Sequence, residues 1–322
     1  MITAILLFLL GFALLIKGGD WFVDGAVGIA HRFHLPELLI GATVVSIGTT
    51  LPEVMVSSQA AFQHNAGISY GNAIGSIICN TSLIAALTAA IRPGAVKKSS
   101  LILPAGFFFG AAAFYSLTAY LFGTFSRVHG LIFLTIFVIY MVLTVRQMKN
   151  NPEEAAASEE TENEEKPMWQ DIVLLVVGAA AIAVGANLLV NNGTIIAQAL
   201  GVPDSVIGLT MVALGTSLPE LITAITSLMK GHSALSLGNV IGANLFNIVL
   251  VSGMAITISP FAVPAEKLIG GINSSLVVDI PVMLGVMLLL CVPALKKERL
   301  YKWQGISLLA IYAIFTIYQF VS

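Results

Sequence analysis

Two stretches decide how this chain folds: SIGTTLPEVMVS, Ser46 to Ser57, and ALGTSLPELITA, Ala213 to Ala224. Each sets a proline, several hydroxyls and one glutamate inside an otherwise apolar run. A charged side chain at membrane depth costs about 3 kcal/mol or more, so one that persists there has a use.

The surroundings are those of a bilayer protein. Of 322 residues, 57% are hydrophobic and 10% charged, against about 25% charged in ordinary soluble domains. Apolar stretches near the ~20 residues needed to cross a bilayer recur along the chain. They predict an all-α membrane protein of ten transmembrane helices, near 2–31, 37–62, 70–91, 101–122, 128–147, 169–196, 205–230, 235–257, 274–293 and 302–321. The first span lacks a basic segment before its apolar run and reads as a retained helix rather than a cleaved leader. Cys79 and Cys291 both fall in spans, which argues against a structural disulfide and against a zinc cluster. The bilayer is the expected partner, with no nucleic acid.

Between the fifth and sixth spans lies NNPEEAAASEETENEEKP, residues 150–167, which holds seven of the 17 acids. Acidic and free of aromatics, it reads as a solvated tether. The chain is thereby divided into a first five-helix repeat at 1–149, the linker at 150–167, and a second five-helix repeat at 168–322.

Shifting the chain against itself by 167 residues superposes the two halves without a gap across both motifs. Pro36 falls on Pro203, Gly48-Thr49 on Gly215-Thr216, and Leu51-Pro52-Glu53 on Leu218-Pro219-Glu220. Farther on, Gly71-Asn72 falls on Gly238-Asn239, Gly75 on Gly242 and Asn80 on Asn247. Between positions 36 and 80, 16 of 45 pairs are identical, and they cluster on Gly, Pro, Glu and Asn. Shared greasiness does not produce that pattern; an internal duplication does. Because each half has an odd number of helices, the second enters the membrane from the opposite side, giving the inverted repeats typical of secondary transporters. Loop lysines and arginines favour both termini outside and the acidic linker in the cytoplasm, by twelve residues to two.

Within each motif, Thr49 and Glu53, like Thr216 and Glu220, share a helix face, while Pro52 and Pro219 remove a backbone hydrogen bond. The helix is expected to kink or unwind there, and freed carbonyls then become cation ligands. Ser76 and Asn80 add a polar row on the third span, and Asn247 its counterpart on the eighth. GxxxG pairs at Gly71/Gly75 and Gly238/Gly242 would pack those rows against the broken helices. Two carboxylates, two amides, several hydroxyls and carbonyls form an all-oxygen site for a hard cation. Calcium, which takes 6–8 oxygens in irregular geometry, and sodium of similar size are the natural candidates. Neither motif contains histidine or cysteine, so softer metals fit poorly.

GTTLPE with GNAIGSIICN, and GTSLPE with GNVIGANLFN, resemble the paired alpha-repeats of the sodium/calcium exchanger family, prokaryotic type. The likeness covers essentially the whole chain. It implies that Glu53 and Glu220 are the central calcium ligands, assisted by Thr49 and Thr216. Flanking sodium sites would use Thr50, Ser76, Ser217 and the carbonyls of Ser46 and Ala213, with Asn80 at the middle and Asn247 opposite. The family mechanism is alternating access, in which the first and sixth helices slide across a fixed core and carry Na⁺ and Ca²⁺ in exchange, with no cofactor. Small size and short loops place the chain in a prokaryotic plasma membrane.

Two positions depart from that pattern: many relatives have an aspartate at Asn247 and a serine at Ala243. With only Glu53 and Glu220 charged, fewer than three Na⁺ per Ca²⁺ are expected. The same departures leave H⁺/Ca²⁺ exchange as the alternative, since a carboxylate in low dielectric can trade a proton for a metal. A cation channel is a remoter reading, because channels build pores from several subunits or filter loops. An enzyme is not expected: no HExxH occurs, and the symmetric doubling of the glutamates has no obvious use in catalysis.

Other polar residues read as structural. Asn72 and Asn239 would cap or pack the third and eighth spans; Lys17 would pair locally with Asp20 near Asp24; Asp279 would be interfacial. His31, His34, His64, His129 and His232 would be solvated at helix ends.

Overall fold

The computed structural model describes residues 1–33, 35–150, 167–200, 213–265 and 268–321. The acidic tether at 151–166 and the beginning of the seventh span lie outside the described residues. Among the described residues the chain forms ten helices. They are α1 (Ile2–Arg32), α2 (Leu38–Phe62), α3 (Ala66–Ile91), α4 (Lys98–Phe122), α5 (Arg127–Asn150), α6 (Met168–Ala199), α7 (Ala213–Thr216 and Leu218–Met229), α8 (Ser233–Ile258), α9 (Ser275–Lys297) and α10 (Lys302–Val321). Eight are long and apolar enough to cross a bilayer.

Helix ends follow local chemistry. α3 starts at Ala66 because the Asn65 side chain accepts from the Ile68 N–H at 3.0 Å, a side-chain N-cap. α4 stops at Gly123, which takes the left-handed conformation with φ of 64°. A minimal antiparallel pairing, Thr124–Phe125 with Phe261–Ala262, ties the α4–α5 and α8–α9 connections together.

α3 and α8 are the most buried spans, enclosed by α4, α5, α7, α9 and α10. Their core is built from Ile74, Ile77, Phe108, Tyr115, Phe133, Tyr140 and Phe246. α1 and α6 pack mainly on each other and form a second, smaller core with Leu15, Phe22, Val23 and Ile182. Their contact is a seam of small residues. A Cβ on Gly11 would lie 2.8 Å from the Gly185 carbonyl, and one on Gly18 would lie 3.0 Å from that of Gly178. These are two views of one contact, because the repeat offset carries Gly11 to Gly178 and Gly18 to Gly185. Arg32 of α1 closes one end of the seam on Asp171 of α6, 3.2 Å away.

The regular α-helix gives way to π-helix at Gly41–Val45 in α2, Asn80–Ala85 in α3, Asn247–Ser252 in α8 and Ser275–Asp279 in α9. Those in α3 and α8 are exact counterparts under the repeat offset, each beginning at the asparagine singled out in the sequence. Such widened turns cluster at functional sites. Hydroxyls five residues on close two of them: Ser46 donates to the Gly41 carbonyl at 2.7 Å and Ser252 to that of Asn247 at 2.9 Å.

Several local expectations are corrected. Pro52 does not unwind α2, since Ser46–Phe62 continues as helix through it; in the second repeat the chain does break, at Ser217, and Pro219 opens the new segment. One lost hydrogen bond is affordable inside a helix held on both sides, and at the first turn the missing N–H has no helical acceptor to lose. Lys17 pairs with Asp20 at 3.9 Å as expected, and Lys230 at the end of α7 joins it, its Nζ 3.6 Å from Asp20 and 2.7 Å from Asp24. His64 is bonded to Ser259 at 2.9 Å, and His129 packs on Phe114 and Phe122. His34 lies outside the described residues.

Candidate cation site

In α2 the polar residues fall on one stripe. Ser46, Thr49, Thr50, Glu53 and Ser57 are all buried, at helical spacings of three and four, while Leu51, Met55 and Phe62 are exposed on the other side. α7 repeats the arrangement with Ser217, Glu220, Thr223 and Ser227 buried and Ile225 and Met229 outward. Both stripes point at α3 and α8. In a bilayer the polar face turns to the protein interior and the apolar face to lipid, so the direction follows from composition.

α2 reaches α8 closely because of glycine. A Cβ on Gly242 would lie 2.6 Å from Cα of Ala42, and one on Gly238 would collide with the Leu38 carbonyl. The second GxxxG pair thus works as expected. Around Gly71 and Gly75 no described residue lies within 4 Å of such a Cβ; the segment facing them by repeat symmetry, 201–212, is outside the described residues.

Close approach lets two asparagines cross between the repeats. Thr49 donates to Asn239 Oδ1 at 3.2 Å, and the single Ser46 proton is shared between the Gly41 carbonyl and the Asn239 carbonyl, the latter at 2.9 Å. Thr216 donates to Asn72 Oδ1, also at 3.2 Å, and the Asn72 amide donates to the Glu53 carbonyl at 3.1 Å and to Ser57 at 2.8 Å. Asn72 and Asn239, expected to cap or pack their own helices, hold the motif threonines of the opposite repeat. The repeated GN dipeptide signalled their importance, but its partner could not be read without the fold.

The remaining polar atoms show a pattern. Glu53 and Glu220, Asn80 and Asn247, and Thr50 and Ser217 are three repeat-related pairs. All six are buried, and their carboxylate, amide and hydroxyl atoms make no well-formed hydrogen bond among the described residues, although Thr49 and Thr50 of the first motif stand beside the Glu220 carboxylate. Neither glutamate has an ion pair with a described lysine, arginine or histidine, and the two carboxylates interact electrostatically with each other. Buried carboxylates without donors or counter-charges are expensive, whereas a cation between them turns repulsion into attraction. Pro52 adds an oxygen, because inside the continuous helix it offers no N–H to the carbonyl of Gly48. Ser76 is buried opposite Ala243, so that pair keeps one hydroxyl. Ala213 begins the short helical piece of α7. The sequence reading missed Asn244, whose amide donates to Thr81 at 2.7 Å while its buried Oδ1 has no partner among the described residues. Its repeat counterpart is Ile77, so symmetry gave no cue.

α1 and α6 touch both motifs. The Phe22 ring of α1 would lie 2.9 Å from a Cβ on Gly48, and Val190 of α6 would lie 2.7 Å from one on Gly215.

Ten helices in two repeats, with a pair of repeat-related acids buried between them, define an integral membrane transporter of cations. The chain belongs to the sodium/calcium exchanger protein family, whose profile matches residues 3–146 and 171–321. It is 38% identical to an uncharacterized membrane protein of Methanocaldococcus jannaschii over 311 residues, covering 95% of each chain. The sodium/calcium exchanger MaX1 of Methanosarcina acetivorans is 33% identical over 350 aligned positions, covering 98% of each. Its structure is similar to that of the sodium-calcium exchanger NCX_Mj soaked with 2.5 mM Na⁺ and 10 mM Sr²⁺, with TM-score 0.81 and 35% identity over 97% of each chain. The protein is therefore a transmembrane cation/Ca²⁺ exchanger and not an enzyme.

Proposed function

We propose that the protein exchanges Ca²⁺ for Na⁺ by alternating access through one central site. Its ligands are Glu53, Glu220, Thr49, Thr216, Thr50, Ser217, Ser76, Asn80 and Asn247, with the carbonyls of Ser46 and Ala213. The observation that carries this reading is the set of three repeat-related pairs with buried, unpartnered ligand atoms. Two carboxylates match the charge of one Ca²⁺ or of two Na⁺, and neutral oxygens complete a shell of 6–8. Competition for the same two charges couples the ions: the site is neutral with either load and strongly repulsive with none, so the empty carrier is disfavoured from crossing. α1 and α6, joined along their glycine seam and resting on Gly48 and Gly215, are the body that moves.

In this reading residues 1–149 and 168–322 are the two repeats, both termini are outside, and 150–167 is a cytoplasmic tether in a prokaryotic plasma membrane. One chain contains the complete ligand set. The test is ⁴⁵Ca²⁺ uptake into proteoliposomes under outward Na⁺, K⁺ or H⁺ gradients, with Glu53→Gln and Glu220→Gln alongside. Uptake driven by Na⁺ and lost in both variants is expected; a channel would give non-saturating flux without a counter-gradient.

The second reading is H⁺/Ca²⁺ exchange. Asn247 and Ala243 favour it, because they leave the site with only two acids and one serine fewer for sodium. Uptake driven by H⁺ and indifferent to Na⁺ would select it.

A further inference from the structure

The two repeats pack the ends of their helices differently. In the first half of the symmetry, α8 packs directly against α2, and His64 fastens the pair by bonding Ser259. In the other half, α3 and α7 stand apart and leave a groove of about 390 Å³. Ile84, Leu87 and Ile91 of α3 face Leu221, Ile225 and Leu228 of α7 across it. Its mouth holds Arg92, the repeat counterpart of Ser259.

Arg92 commits one N–H, from Nη1, to the Leu228 carbonyl at 2.9 Å and forms no ion pair with a described acid. The neighbouring cation, Lys230, is already satisfied by Asp20 and Asp24. Beyond the mouth, the Ala95–Arg299 bridge and the bond from Val96 N–H to the Glu298 carbonyl at 2.8 Å bring the end of α9 alongside. Segments 92–102 and 296–302 carry Arg92, Lys97, Lys98, Lys296, Lys297, Arg299 and Lys302 against one acid, Glu298.

We propose that this groove is a binding site for an anionic phospholipid, with an acyl chain between α3 and α7 and the phosphate on Arg92. An apolar slot within the volume range of small-molecule sites, ending at an uncompensated guanidinium on the basic face, has the chemistry of both ends of such a lipid. Zwitterionic lipid satisfies the slot but not the charge, and a free phosphate the charge but not the slot. Where protein fills the space in one repeat, lipid fills it in the other and separates the C-terminal half of α7 from α3. The inference stands whichever cation drives exchange.

Native mass spectrometry of the purified full chain tests it, with phosphatidylglycerol and phosphatidylcholine of matched chains offered together and glycerol phosphate as the soluble control. One phosphatidylglycerol should be retained in preference to phosphatidylcholine. Arg92→Gln should lower that preference roughly five- to tenfold, Arg92→Lys should keep most of it, and Ile225→Trp, which fills the slot, should reduce retention of the lipid. Melting temperatures near the parent's would certify that the variants fold. Equal retention of the two lipids, or a preference unchanged in Arg92→Gln, means ordinary annular lipid and overturns the site. Competition by glycerol phosphate at the concentration of the lipid would show an anion site without a chain, which also overturns it.

Discussion

Thr49 of the first motif donates to Asn239 Oδ1 on α8 at 3.2 Å, and the repeat-related bond from Thr216 to Asn72 has the same length. Each repeat thus fixes the motif threonine of the other. With its proton committed to an asparagine, the threonine oxygen keeps its lone pairs for a cation. Replacing Asn239 with Ala should cost about 1–3 kcal/mol of ligand organisation, read as roughly tenfold weaker Ca²⁺ in transport titrations. Asn239→Asp retains the acceptor and should keep more affinity than the alanine variant.

Glu53→Gln and Glu220→Gln preserve shape and remove charge. Either should abolish calcium exchange while leaving the cation-free protein as stable as the parent or more so, because an unpaired buried carboxylate is itself destabilising. Thermal melting with and without Ca²⁺ separates the effects: the variants should lose the calcium-dependent rise in melting temperature and keep the baseline.

Asn247→Asp restores a third carboxylate at the head of the α8 π-turn. The parent should show a reversal potential corresponding to fewer than three Na⁺ per Ca²⁺, and the variant should shift toward a higher sodium count. A parent value of three would remove the link between site charge and stoichiometry.

Gly242→Ala puts a methyl where Cα of Ala42 would be 2.6 Å away and Ser46 closer still. Overpacking of this kind costs about 1–3 kcal/mol, and here it also pushes Asn239 away from Thr49. A lower melting temperature together with weakened calcium binding is expected. An effect on melting alone would mean that the α2–α8 contact is scaffolding.

Arg32→Gln leaves Asp171, whose side chain is 7% exposed, without its counter-charge at the end of the α1–α6 seam. The loss should be about 1–3 kcal/mol, since Arg32 is partly solvated, and Arg32→Gln with Asp171→Asn should recover part of it. A double-mutant cycle on melting temperature measures the coupling.

Much was legible before folding because bilayer physics leaves few choices. Apolar length located the spans, with nine of the ten matching to within a few residues, and the offset of 167 residues exposed the duplication. That duplication also singled out the ligand pairs, since random polar residues do not recur as GT[TS]LPE and GNxxG…N. Local rules went wrong where a partner distant in sequence intervened. Lys230 joined Lys17 at Asp20 and paired with Asp24 as well, and α2 stayed helical through Pro52.

The sequence by itself determined the class of transporter, the two halves and the paired acids, because membrane burial and internal repetition are properties of residue order. Tertiary structure alone decided that Asn72 and Asn239 cross the repeats to hold Thr216 and Thr49, that π-turns begin at Asn80 and Asn247, and that a groove opens between α3 and α7. Those outcomes depend on how closely two backbones approach, and glycine contacts set that distance only after the helices have met.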